Sequence, residues 1–112
     1  MRPDDVVRLR HMLDAAREAV GFVENKRRED LESDRKLTLA LVKDIEIIGE
    51  AGYQTSDDAR RQIKNIAWED IIGMRHRLVH AYFDINLDVL WQTVTGDLPS
   101  LIETLKNALG EN

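Results

Sequence analysis

The pattern that decides the fold lies in residues 3–23, which read PDDVVRLRHMLDAAREAVGFV. Apolar residues recur there at alternating spacings of three and four, which places them on one face of an α-helix of about five turns. They are Val6, Leu9, Leu13, Ala16, Val20 and Val23. Pro3 followed by Asp4 and Asp5 is typical of a helix start, where a missing N–H costs little and negative charge suits the helix dipole. This region therefore predicts a long amphipathic helix.

Helical periodicity continues through the next third of the chain. A charged segment at residues 26–36 separates the first helix from a second, and we expect the break near residues 25–29. The second helix should end near residues 49–52, where two glycines stand. Its apolar stripe is Leu37, Leu41, Ile45 and Ile48. Residues 54–58 predict a turn into a short helix, with Ser56 as the N-cap.

Another long helix is expected at residues 68–83. Its core face would be formed by Ile71, Met74, Leu78 and Ala81. Glu69, His76 and His80 fall on nearly the opposite side. A second apolar strip lies between these two faces and comprises Ile72, Val79 and Phe83. An apolar strip of this kind is expected to be buried against protein rather than exposed to water, most simply against a second copy of the chain across a two-fold axis. Both histidines would then lie in a cleft at the interface of a homodimer.

The C-terminal part predicts one short and one longer helix. Asn86 can cap a segment at residues 87–94, and Gly96–Asp97 should break the chain before a terminal helix closed by Gly110. The apolar residues of that last helix are Leu98, Leu101, Leu105 and Leu109. No strand-like alternation is visible in the sequence. The predicted fold is therefore all-α, an antiparallel four-helix bundle with one or two extra short helices.

Length and composition restrict the classes of protein that remain. The chain has 112 residues, which predicts a single domain over 1–112. It contains no cysteine, so disulfides and thiolate metal sites are excluded. The net charge of −5 argues against a general nucleic-acid coat, although it leaves room for a local basic patch centred on Arg75 and Arg77. We expect no secretory signal, no membrane span and a cytoplasmic location.

The most reactive part of the sequence is residues 73–83, GMRHRLVHAYF. Two histidines and two arginines stand within six positions, in the pattern Arg75-x-x-x-x-His80-x-Tyr82. RNA cleavage without a metal needs a base for the ribose 2′-OH, an acid for the leaving 5′ oxygen, and positive charge on the transition state. Histidine can act as the base or the acid near neutral pH, and the arginine fork matches phosphate oxygens.

These roles predict a metal-independent ribonuclease without a cofactor. His80 is the candidate base or acid, and Arg75 is the candidate for stabilising the charge of the transition state. The products would be a 2′,3′-cyclic phosphate and a 5′-OH. His76 is either the complementary proton carrier or an RNA contact. On one helix, Arg75 and His80 would diverge by about 140°, so the site requires Arg75 to reach around the helix or residues from two chains to combine.

The motif stands in a context that resembles the HepT-like ribonuclease family of the HEPN superfamily. The similarity covers nearly the whole chain in order. Beside the motif at residues 75–82, it includes WEDIIGM at 68–74, IEIIGEA at 45–51, and Leu90-Trp91-x-Thr93-Val94-x-x-Asp97-Leu98-Pro99. The combination is far more specific than the short motif alone.

The resemblance implies a dimeric all-α bundle with RNA-cleaving toxin activity. It also implies a partner antitoxin with a minimal nucleotidyltransferase fold, which would silence the ribonuclease by transferring AMP to Tyr82. One position departs from the family pattern, because members often carry Asn directly after the motif arginine and this chain has His76.

Other interpretations compete with each of these assignments. Arg75 could pair with Glu46 or Glu50 in a structural role, and Glu50 could orient Arg75 or simply end its helix. His80 could be a packed interface residue. His76 and His80 have the spacing of metal ligands, but the zinc-protease pattern needs Glu directly after the first histidine, where Arg77 stands. For the whole protein, the alternatives are a non-catalytic helical module that binds a nucleotidyltransferase or a nucleotide, and a structural dimer.

Overall fold

The computed structural model describes residues 1–81 and 84–111, and only the backbone of residues 80 and 81. In chain order the elements are α1 (Pro3–Phe22), α2 (Asp30–Ser33), α3 (Arg35–Gln54), α4 (Asp57–Gln62), α5 (Trp68–Leu78), β1 (Val79–Ala81), β2 (Asp84–Ile85), α6 (Leu87–Gln92), a π-helical turn (Thr93–Asp97) and α7 (Leu98–Ala108). The predicted all-α bundle is confirmed. Its four main helices are α1, α3, α5 and α7, and the described part also contains three short helices and one small hairpin.

The first two long helices run antiparallel, as a contact between their opposite ends shows. Asp5 near the start of α1 accepts hydrogen bonds from the backbone N–H of Ser56 (2.8 Å) and from its hydroxyl (2.6 Å), just after the end of α3. The predicted apolar stripe of α1 is buried at Leu9, Leu13, Ala16 and Val23 and half-buried at Val20, but Val6 is 38% exposed. Val6 lies in the first turn of α1.

Helix α3 forms the centre of the bundle and is longer than the sequence predicts. Its predicted stripe of Leu37, Leu41, Ile45 and Ile48 is buried throughout. The helix continues through Gly49 and Gly52 to Gln54, so the expected end at residues 49–52 is wrong. Glycine at position 49 instead allows α5 to approach α3 closely, because a Cβ at Gly49 would lie 3.3 Å from the carbonyl oxygen of Ile72 in α5. Helices α3 and α5 therefore pack backbone to backbone at this point.

The predicted cap residues are confirmed. The Ser56 hydroxyl accepts from the N–H of Ala59 at the start of α4, and the Asn86 side chain accepts from the N–H of Val89 at the start of α6. Gly110 has a φ of +71° and follows α7, as expected of a helix-ending glycine. Each of these assignments depends on a few neighbouring residues, which explains why the sequence reveals them.

The predicted helix at residues 68–83 is too long. Helix α5 ends at Leu78, and Val79 adopts an extended backbone that begins β1. Strand β1 pairs antiparallel with β2, with Val79 opposite Ile85, and the N–H of Asn86 donates to the carbonyl of Leu78 at 2.8 Å. Two β-branched residues face each other across the pair, a combination that favours strand over helix. Phe83 lies outside the described residues.

Gly96–Asp97 does not break the chain as expected. The π-helical turn carries the backbone from α6 directly into α7. A Cβ at Gly96 would overlap the end of the exposed Gln92 side chain, which is flexible and can move aside, so packing does not require glycine here. No helix in the described part of the chain combines the length and the apolar character that a bilayer crossing requires.

Candidate active site

A cleft of about 590 Å³ lies between α3 and α5 and is closed at one end by α4. Its walls consist of Glu46, Gly49, Glu50 and Tyr53 from α3, Arg60 from α4, and Glu69, Ile72, Gly73, Arg75 and His76 from α5. The two helices run antiparallel here, since Glu46 meets Arg75 while Gly52, further along α3, meets Ile71. The close contact at Gly49 forms the floor, and longer side chains on either side of it form the walls.

Arg75 is held in this cleft by an ion pair with α3. Its Nε donates to Glu46 Oε2 at 3.3 Å, and both side chains are 45% exposed. Lys43 Nζ also lies 3.8 Å from the other carboxylate oxygen of Glu46. Of the two acidic partners expected for Arg75, the structure selects Glu46. An exposed pair of this kind contributes about 0–1 kcal/mol to stability, so its main effect is to keep the guanidinium at the cleft.

Glu50 and His76 line the same cleft without an ion pair between Glu50 and Arg75. The Glu50 carboxylate accepts a hydrogen bond from Gln54 Nε2 at 3.0 Å, one helical turn further along α3. His76 is exposed, and Glu69 lies on the same wall seven residues earlier. The prediction that Glu69 and His76 share one side of α5 is confirmed.

Arg77 lies away from the cleft. Its Nη1 is 3.8 Å from Asp70 Oδ1, and both residues line a different cavity of about 320 Å³ between α5 and α7. Arg75 and Arg77 are two positions apart and point to different sides of a helix. In the described part of the chain, these two arginines therefore line different cavities and do not share one basic patch.

Of the remaining motif residues, only the backbone of His80 is described. The side chain of His80 and the whole of Tyr82 lie outside the described residues. The backbone of residue 80 belongs to β1 rather than to α5. The expected 140° divergence from Arg75 assumed a continuous helix and does not apply. For the same reason His80 does not belong to the helical face shared by Glu69 and His76.

The cleft can bind and polarise an anion with the groups that the structure describes. It is lined by two arginines and one histidine beside three glutamates, and one of the arginines, Arg60, is engaged with backbone carbonyls of α3. Among the described side chains, no three His, Cys, Asp or Glu residues are grouped so as to hold a metal ion. The arrangement is suited to acid–base and electrostatic chemistry on a phosphate group.

Comparison with known proteins identifies the family. A family model for ribonuclease HepT-like proteins matches residues 12–108. The chain belongs to the HepT-like ribonuclease family. The resemblance drawn from the motif is thereby confirmed, and with it the assignment of the chain as an RNA-cleaving enzyme of the HEPN superfamily.

Two curated relatives of this HepT-like ribonuclease agree with that assignment. "Probable ribonuclease HepT" of Thermococcus cleftensis is 40% identical over 88 residues, which cover 75% of this chain and 80% of the relative. "Putative RNase TTE0752" of Caldanaerobacter subterraneus subsp. tengcongensis is 34% identical over 101 residues, which cover 90% of each chain. No solved structure matches the chain at a comparable level of significance.

Two residues of this HepT-like ribonuclease's cleft were missed by the sequence reasoning. Tyr53 is 69% exposed, and Arg60 donates to the last carbonyls of α3. For Tyr53 a signal existed, because Glu46, Glu50 and Tyr53 are spaced along one face of a helix. It was not visible while α3 was expected to end at residues 49–52. Arg60 had no such signal, since only the folding of α4 against α3 brings it there.

Proposed function

We propose that this HepT-like ribonuclease cleaves RNA at the α3–α5 cleft without a metal ion, by internal attack of the ribose 2′-OH. The 2′ oxygen forms a bond to phosphorus while the bond from phosphorus to the 5′ oxygen breaks. A base takes the proton of the 2′-OH, and an acid protonates the departing 5′ oxygen. The products are a 2′,3′-cyclic phosphate and a 5′-OH. The observation that carries the proposal is the position of Arg75, a half-exposed guanidinium at the mouth of the cleft beside His76.

Arg75 is the proposed charge stabiliser. Its pair with Glu46 is solvent-exposed and weak, so a phosphate with two accessible oxygens can replace the carboxylate as its partner. The guanidinium then faces the oxygens on which negative charge accumulates in the transition state. Removing a single preorganised donor of this type typically slows an enzyme by about 10²–10³-fold.

His80 is the proposed base or acid, and His76 is either the complementary proton carrier or an RNA contact. His76 supports this assignment through its exposure and its place in the cleft. For His80 the support is its position in the motif, directly after the helix that carries Arg75. Glu50, on the wall of the same cleft, would help to orient Arg75. Arg77 would contact RNA only where the substrate extends to the α5–α7 side.

A homodimer and an antitoxin complete the proposal. Ile72 and Val79 are only half-buried in one chain, which supports a second copy as their cover. In such a homodimer, the active site would be formed either by residues of one chain or by residues of both chains. The regulatory partner would be a minimal nucleotidyltransferase that attaches AMP to Tyr82. Tyr82 stands two residues after His80, so the bulky anionic group would block RNA access to that histidine.

The test is cleavage of single-stranded RNA by the purified, partner-free chain in excess EDTA, beside His80→Ala. Arg61→Ala is the control, because Arg61 forms an exposed ion pair with Asp58 and does not line the cleft. Wild type and Arg61→Ala should cleave and leave cyclic phosphate ends. His80→Ala should lose about 10²–10⁴-fold in rate while keeping native helicity.

Three results would contradict the proposal. Cleavage by His80→Ala at the wild-type rate would remove His80 from the mechanism. Absence of cleavage by every variant, from protein whose mass shows no added AMP, would favour the non-catalytic binding module. A requirement for a divalent cation in the wild type would contradict the metal-independent mechanism.

A further inference from the structure

We propose that Tyr53 is a stacking platform for an unpaired RNA base beside Arg75, which makes the cleft selective for single-stranded RNA. The inference rests on the proposed function, because it assigns the substrate contact of the same cleft. Among the described residues in the wall of this cleft, Tyr53 is the aromatic one, and it is 69% exposed. An isolated exposed aromatic residue is common on protein surfaces. Tyr53 differs from such isolated residues because its backbone is anchored and because it lies in the same cleft as Arg75.

The backbone of Tyr53 is anchored from two other helices. Arg60 of α4 donates from Nη2 to the Tyr53 carbonyl at 2.6 Å and to the Gly52 carbonyl at 3.1 Å. The carbonyl of Arg60 in turn accepts from Nε1 of Trp68 at 3.2 Å, at the start of α5. These contacts hold the last turn of α3, where the Gly52 carbonyl also accepts from the N–H of Thr55 at 3.2 Å. The backbone that carries the Tyr53 ring is thus fixed before any ligand binds, so binding does not have to order this turn of α3.

The charge of the cleft favours stacking over further phosphate contacts. Three glutamates line it, and the guanidinium of Arg60 is engaged with backbone carbonyls. Arg75 therefore remains as the cleft arginine available to a phosphate once Glu46 is displaced. RNA binding depends strongly on lysine and arginine side chains that neutralise phosphates. A site with one available arginine therefore needs a second source of affinity. A neutral aromatic face provides it for any base.

The spacing along α3 places the platform next to the reactive phosphate. Seven residues separate Tyr53 from Glu46, the partner of Arg75, which corresponds to about 10 Å along the helix axis. A base stacked on Tyr53 would therefore belong to a nucleotide flanking the phosphate held by Arg75. Bases in a duplex are already paired and stacked, and RNA-binding proteins generally stack aromatic side chains on unpaired bases. Single-stranded RNA is the substrate class that fits.

Binding is tested with a short 2′-O-methyl oligonucleotide that carries 2-aminopurine, which has no nucleophile and cannot be cleaved. Its fluorescence reports stacking and its anisotropy reports affinity. Tyr53→Ala in the full-length chain should bind about 5- to 100-fold more weakly than wild type, and Tyr53→Phe should bind as wild type does. Phe22→Ala, which removes an exposed aromatic side chain outside the cleft, is the control and should also bind normally.

The unfolding midpoints of the two Tyr53 variants should match that of wild type, because Tyr53 is largely exposed. Wild-type affinity in Tyr53→Ala would overturn the platform. So would a Tyr53→Phe variant as weak as Tyr53→Ala, because the hydroxyl rather than the ring face would then bind RNA.

Cleavage of unmodified RNA by the same proteins separates this inference from the proposed function. If wild type cleaves RNA and Tyr53→Ala binds the probe normally, the platform is wrong and the ribonuclease mechanism stands. If wild type cleaves nothing but probe binding depends on the ring of Tyr53, the mechanism at this cleft is wrong and the platform stands. Both hold if Tyr53→Ala loses probe affinity and its cleavage is impaired through KM more than through kcat.

Discussion

The two sides of helix α3 use polar residues in opposite ways. Toward α5, Glu46 and Glu50 are half-buried or exposed and form weak contacts that a substrate can replace. Toward α1, Asp44 is 2% exposed, and its Oδ2 atom has no hydrogen-bond partner among the described residues. Polar residues on the α5 side should therefore matter for catalysis and little for stability. On the α1 side they should matter for stability alone.

The largest stability effect is expected from Asp5, at the end of the α1–α3 contact. Asp5→Ala removes a buried carboxylate that accepts both hydrogen bonds from Ser56, and leaves the Ser56 N–H without its partner. We expect a loss of about 2–3 kcal/mol in the free energy of unfolding, measured by urea denaturation at neutral pH. Cleavage by the remaining folded protein should be unchanged. A variant as stable as wild type would contradict the distinction between the two sides.

The same contact predicts an acid dependence. Hydrogen bonds from the Ser56 side chain and backbone lower the pKa of Asp5 below its ordinary value. A carboxylate of this kind contributes its stability above the unfolded-state pKa and loses it as the pH falls through the folded-state pKa. Wild type should therefore lose stability below about pH 4, and Asp5→Ala should lose less over the same range.

Asp44 is expected to change the stability with pH in the opposite direction to Asp5. Burial, together with the nearby Glu18 carboxyl, raises the pKa of Asp44 to about 7. The unfolded chain ionises this group near pH 3.8 and the folded chain only near 7, so the free energy of unfolding should fall as the pH rises between these values. Asp44→Asn should be about 1–2 kcal/mol more stable than wild type at pH 8, and this gain should vanish below pH 4. Urea denaturation across this pH range is the measurement, and a lower stability at pH 8 would contradict it.

The smallest stability effect is expected on the α5 side, at the partner of Arg75. Glu46→Gln removes the charge of the exposed pair and should change the free energy of unfolding by less than about 1 kcal/mol. It frees Arg75 for phosphate, so the non-cleavable oligonucleotide should bind more tightly at low salt. Glu103→Gln, which removes an exposed glutamate that pairs with Lys106, is the matched control and should leave affinity unchanged. Weaker RNA binding by Glu46→Gln would show that the carboxylate positions Arg75 rather than competing for it.

The sequence predicted what depends on neighbouring residues. The apolar stripe of α3 and the caps at Ser56 and Asn86 are local patterns, and the structure confirms them. The hairpin after Leu78 was missed because the helical periodicity of residues 71–81 continues past the point where pairing with β2 ends the helix. The contact between Asp5 and Ser56 joins residues 51 positions apart, and no periodicity reveals it.

The sequence also predicted only part of the candidate site. The residue types of the motif indicated the chemistry, and Arg75 and His76 do share one cleft. The division of the two arginines between different cavities was missed, because it depends on which helix packs against each side of α5. Tyr53 was missed because α3 was expected to end at residues 49–52, which hid its helical spacing from Glu46 and Glu50.

The most direct test of the central claim compares Arg75→Ala with Arg61→Ala in two assays, RNA cleavage in EDTA and urea denaturation. If the cleft is the active site, Arg75→Ala loses about 10²–10³-fold in cleavage and changes stability by less than about 1 kcal/mol. Arg61→Ala should match wild type in cleavage. Equal cleavage by the two variants, or a loss in Arg75→Ala that follows its loss of folded protein, would contradict the assignment of the α3–α5 cleft.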